Sequence, residues 1–97
     1  MSGTINNISN AFNNCQNLTN AYVYGNRIEN MANAYSNCIN LKETVECGPN
    51  VTNMHNTYYN CTNLNGNPAC GPNVTNMYRT YYNCRNLTTA IIGPKVT

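Results

Sequence analysis

The sequence predicts an α/β repeat solenoid, a coil of four 23-residue rungs. Two observations predict it. Asn-Cys-x-Asn-Leu recurs four times with its cysteines, Cys15, Cys38, Cys61 and Cys84, each 23 residues apart. A fixed period in that range marks an architecture that grows by stacking one unit on the next. The apolar residues inside each copy also share one spacing: Val51, Met54, Tyr58, Cys61 and Leu64 are separated by 3, 4, 3 and 3 residues. That spacing puts them on one face of a short helical turn.

The chain reads as a single domain over 1–97, with repeats at approximately 2–24, 25–47, 48–70 and 71–92 and residues 93–97 starting a fifth. The first repeat supplies Ile5, Ile8, Phe12, Cys15 and Leu18 at the five apolar positions. The second supplies Ile28, Met31, Tyr35, Cys38 and Leu41, and the fourth Val74, Met77, Tyr81, Cys84 and Leu87. Stacking aligns them into five apolar ladders that no single repeat can bury alone. After each leucine a short strand is expected, as in Leu41 to Cys47, where Val45 and Cys47 alternate with Glu46. Leu64 to Cys70 is poorer strand material because it contains Gly66 and Pro68. Side by side, these strands would form a parallel sheet with rungs about 4.8 Å apart. Gly48-Pro49, Gly71-Pro72 and Gly93-Pro94, with Gly25, supply the turns.

Asparagine occurs 23 times. Asn14, Asn37, Asn60 and Asn83 stand before the cysteines, where a helical turn must end and a left-handed backbone is expected; asparagine tolerates it. Asn17, Asn40, Asn63 and Asn86, with Asn7, Asn30, Asn53 and Asn76, recur in every copy and are expected to bond from rung to rung.

Val51-Thr52-Asn53-Met54 followed by Tyr58, Cys61 and Leu64 resembles the BspA-type leucine-rich repeats, in the variant with Val-Thr-x-Met, an aromatic, Cys and Leu at these offsets. The resemblance runs through nearly the whole chain and implies a leucine-rich-repeat-like coil. It departs from the family pattern between Leu and Val, at Asn67-Pro68-Ala69-Cys70 and Ala21-Tyr22-Val23-Tyr24. Such repeats typically occur in cell-surface adhesion and host-interaction proteins, and in phage-like appendages. The resemblance therefore implies an extracellular, cell-surface or virion-surface location.

Composition narrows the function. Only 8% of residues are charged and the net charge is +2, so no footprint for nucleic acid is visible. No apolar run is long enough for membrane insertion, and no signal peptide opens the chain. Three carboxylates without a paired acid and base, and no phosphate-binding glycine loop, argue against an enzyme. Six cysteines without a close Cys-x-x-Cys pair, and the single His55, argue against a metal or other cofactor; buried free thiols are expected instead.

Two surfaces remain. The ladders end on apolar side chains: Ile5, Ile8, Phe12 and Leu18 at one end, Tyr81, Leu87, Ile92 and Val96 at the other. Complementary ends associate head-to-tail and need not close. The expected function is a non-enzymatic structural protein that self-assembles into a fibre or array. The alternative is an adhesion or recognition module binding a protein or glycan through Tyr59, Tyr78, Arg79 and Tyr82, which fall between the inward positions.

Overall fold

The computed structural model describes residues 6–20, 27–43, 48–65 and 71–87. Within each repeat the backbone runs as consecutive tight turns. In the second, Ala34 N–H donates to Met31 O (3.0 Å), Cys38 N–H to Tyr35 O (3.2 Å) and Leu41 N–H to Cys38 O (3.1 Å). Each bond spans three residues, not the four of an α-helix. Two left-handed residues per repeat keep the turns from merging into a helix. Asn33 (φ 59°) and Asn37 (φ 63°) do this in the second repeat, Asn10 and Asn14 in the first, Asn56 and Asn60 in the third. Asparagine takes that conformation at least cost after glycine.

The other N–H groups point along the stack. Met31, Asn33, Tyr35 and Asn37 donate to the carbonyls of Asn53, His55, Thr57 and Tyr59 at 2.7–2.8 Å. The first and third repeats bond to their successors in the same way, for example Phe12 N–H to Ala34 O and Tyr58 N–H to Thr80 O. Alternate donors thus serve the turn and the neighbouring repeat, which satisfies the backbone without helix or sheet. Extended pairing is limited to isolated parallel bridges, Asn7 with Asn30, Asn30 with Asn53, Asn53 with Asn76, and Asn20 with Glu43.

The expected α/β repeat solenoid, a leucine-rich-repeat-like coil with a helical turn and a parallel-sheet strand in every rung, is overturned. Among the described residues there is no helix and no continuous strand. The chain is a small compact globule with a radius of gyration of 12.2 Å, close to the roughly 13 Å of a compact 100-residue body. The apolar spacing of three and four residues, read as helical, comes from successive three-residue turns broken by left-handed asparagines. Most of the strand expected over Leu41 to Cys47, and that after Leu64, falls outside the described residues.

The core follows the five apolar positions. Tyr35, Cys38, Leu41, Val51, Cys61 and Leu64 are fully buried, and Ile28, Met31, Met54 and Tyr58 nearly so. Phe12, Tyr35, Tyr58 and Tyr81 form one column, with ring centroids 5.4, 5.6 and 5.9 Å apart and planes within 7° of parallel. A polar column lies beside it: the Thr57 hydroxyl donates to Met31 O at 2.8 Å, and that of Thr80 to Met54 O at 2.6 Å. Both threonines are buried, so these bonds prevent the cost of an unpaired interior hydroxyl.

Candidate interaction surfaces

The asparagines divide into three jobs. Asn7, Asn30, Asn53 and Asn76 each accept, through Oδ1, the N–H two residues ahead at 2.9 Å. These are local Asx turns, not the rung-to-rung bonds expected of them. Asn40 and Asn63 do bond between repeats, donating to Gln16 O (2.6 Å) and Ile39 O (2.8 Å). Asn60 and Asn83 donate to the Oδ1 of Asn37 and Asn60, linking the left-handed positions into a side-chain ladder.

The thiols are held in the interior. Cys38, Cys61 and Cys84 donate through Sγ to Phe12 O, Tyr35 O and Tyr58 O, each at 3.0 Å. Burial pushes the Cys38 and Cys61 thiols upward and raises that of Cys84 to about 11. Nucleophilic and metal-binding chemistry needs the thiolate, and burial opposes it at these three positions. Cys15, Cys38, Cys61 and Cys84 are free cysteines; Cys47 and Cys70 lie outside the described residues. Among those residues no group of three His, Cys, Asp or Glu side chains is placed to hold a metal ion, and no helix is long and apolar enough to cross a membrane.

The two ends of the stack differ from its middle. Phe12, Cys15 and Leu18 at one end, and Met77, Tyr81 and Leu87 at the other, are only partly buried, although their counterparts in the second and third repeats are covered. Asn14, Cys15, Gln16, Asn17 and Leu18 line an open concavity of ≈ 590 Å³. Ile8 is buried, while Ile5, Ile92 and Val96 lie outside the described residues. The backbone adds a feature that side-chain patterning missed. Among the described residues, the carbonyls of Asn7, Ser9, Ala11 and Asn13 accept no hydrogen bond, whereas the equivalent Asn30, Ala32, Ala34 and Ser36 carbonyls all do. At the opposite end the N–H groups of Met77, Arg79 and Asn83 find no acceptor among those residues. Bonds in the opposite direction, such as Glu29 N–H to Asn6 O and Lys42 N–H to Thr19 O, leave the Asn6, Asn7 and Thr19 N–H groups on the first face and the Thr75 carbonyl on the last likewise unmatched among the described residues, so each face carries both kinds of group and the two are complementary.

Tyr59 stacks on Tyr82 with centroids 5.0 Å apart, and His55 leans on Tyr78 at 5.4 Å. Tyr78 and Tyr82 are 58% and 53% exposed. The Arg79 guanidinium lies 4.9 Å from the Tyr78 ring centre and 5.6 Å from that of Tyr82. Arg79 is also the non-asparagine residue among the left-handed positions, at φ 55°. An ordinary side chain there costs about 1–2 kcal/mol, and two exposed cation–π contacts return about 0.5–1 kcal/mol each. The recurrence of asparagine at positions 10, 33 and 56 was the sequence signal for this site, with Arg79 as its exception.

No family model matches the chain, and no curated protein or solved structure matches it.

Proposed function

We propose that this protein is a structural subunit that stacks head-to-tail on copies of itself. One observation carries the reading: the two ends are the two halves of the interface that already joins its repeats. In register, Met77, Arg79 and Asn83 of one copy would donate to Asn7, Ser9 and Asn13 of the next, as Met54, Asn56 and Asn60 donate to Asn76, Tyr78 and Tyr82 within the chain. The partly buried apolar side chains at the two ends, among them Leu18 at one and Met77 and Leu87 at the other, would be covered at the junction. The two faces complement each other and not themselves, which favours head-to-tail contact over head-to-head. A heterologous contact that does not close produces a filament. The low charge, 8% of residues, offers little repulsion between copies.

Negative-stain microscopy of the purified chain tests this. The expected image is unbranched filaments of varied length with an axial repeat of about 19 Å, four layers at about 4.8 Å. Phe12→Glu places a charge on one end face at the cost of the Phe12–Tyr35 stack, so it should abolish filaments, with circular dichroism confirming that the chain remains folded. Isolated particles from the unaltered chain at high concentration would refute the proposal.

A further inference from the structure

We infer that Tyr78, Arg79 and Tyr82 form a receptor for a carboxylate presented by an acidic peptide segment of a partner protein. Three observations converge on it. The first is a departure from the repeat pattern confined to one side of the molecule. Where the first and second repeats carry Ser9, Asn13, Ala32 and Ser36, the third and fourth carry His55, Tyr59, Tyr78 and Tyr82. Half-exposed rings at Tyr78 and Tyr82 are not needed to fill the core.

The second is Arg79 itself. It occupies a left-handed position that asparagine fills in the other three repeats, so its ring contacts do no more than offset a backbone cost that asparagine largely avoids. Its guanidinium is fixed against two rings, which reduces the freedom it must lose on gripping a ligand. A planar guanidinium held in this way offers paired N–H donors that match a carboxylate.

The third is charge. Every carboxylate side chain in the sequence, Glu29, Glu43 and Glu46, belongs to the second repeat, while the third and fourth carry only the cations Arg79 and Arg85 besides His55. Arg85 is engaged with Asn83 Oδ1 at 3.2 Å. The patch is therefore a cationic aromatic surface without an internal acid to answer it, and its complement is anionic. A peptide suits it better than a sugar. Tyr82 stacks on Tyr59, Tyr78 leans on His55 and the guanidinium lies near both ring centres, so the patch pairs a held cation with the rings, and a carboxylate-bearing peptide answers that cation where a neutral sugar does not.

The test is fluorescence anisotropy with a labelled peptide alternating glutamate and tyrosine, run below the concentration of any self-association. Saturable binding is expected. Arg79→Asn should weaken it at least tenfold, while the urea midpoint stays level or rises because the backbone is relieved. Arg85→Asn, the control for general charge, should leave affinity within threefold. The inference is overturned if the peptide does not bind, if Arg79→Asn binds as well as the unaltered chain, if Arg85→Asn loses as much as Arg79→Asn, or if a hyaluronan oligosaccharide binds through Arg79 and the peptide does not. None of these results depends on whether filaments form.

Discussion

Repeats two and three and repeats one and four share a pattern but not an environment. Tyr35 and Tyr58 are buried and each lies between two rings, whereas Phe12 and Tyr81, the first and last rings of the column among the described residues, are only partly buried. Cys38 and Cys61 are fully buried, whereas Cys15 is only partly covered. The sequence writes the same residue types at both places, so the difference comes from position in the stack. A repeat here is stabilised chiefly by its neighbours, and among the described residues an outer repeat has only one.

Truncating the ring column breaks that comparison most sharply. Tyr58→Ala should cost about 3–5 kcal/mol, a large share of the roughly 5–15 kcal/mol that holds a domain together. Phe12→Ala, at a side chain that is only partly buried, should cost less than half as much. Urea denaturation of both variants checks the ratio, and equal losses would mean that the outer repeat is as fully supported as the inner ones.

Alkaline pH probes the same core. With the Cys84 thiol raised from its ordinary 9.0 to about 11, and Cys38 and Cys61 also raised, the folded chain keeps protons above pH 9 that the unfolded chain releases. Stability is therefore whole below pH 9 and falls as pH rises, by up to about 1.4 kcal/mol per pH unit for each such thiol. Denaturation midpoints between pH 8 and 11 should drop, and Cys61→Ala should make the drop shallower. A flat profile would contradict the buried-thiol account.

Thr57→Val removes the hydroxyl's bond to the Met31 carbonyl, which still accepts from Ala34 N–H, at an expected cost of about 0.5–1.5 kcal/mol. A change below the error of a denaturation curve would show the hydroxyl to be dispensable. Arg79→Asn has the smallest effect and the opposite sign, a gain of up to about 1 kcal/mol from relieved backbone after the lost cation–π contacts are subtracted. The reverse change, Asn56→Arg, should destabilise by a similar amount, since His55 and Tyr59 do not flank it with two exposed tyrosines.

Much of this was readable in the residues. The period fixed the register in which Tyr58 meets Tyr35 and Tyr81, and the five apolar positions identified the core. Asn37 before Cys38 foretells a left-handed backbone, and of the residues that fall between inward knobs Tyr78, Arg79 and Tyr82 are exposed while Tyr59 is half-buried. The helical reading failed for a physical reason: three-residue turns and α-helices both return a side chain to one face every three or four positions. The second left-handed asparagine, Asn33, was the discriminating clue, since a helix does not tolerate it within its span. The polarity of the end faces was not readable, because it lies in backbone donors and acceptors that side-chain identity does not encode.

Sedimentation velocity across a hundredfold range of protein concentration tests the central claim most directly, that the outer faces of repeats one and four are unfinished copies of the interface between repeats. The account predicts a weight-average sedimentation coefficient that climbs steadily with concentration and stays at the monomer value for Phe12→Glu. A single monomer boundary for the unaltered chain at every concentration would contradict it.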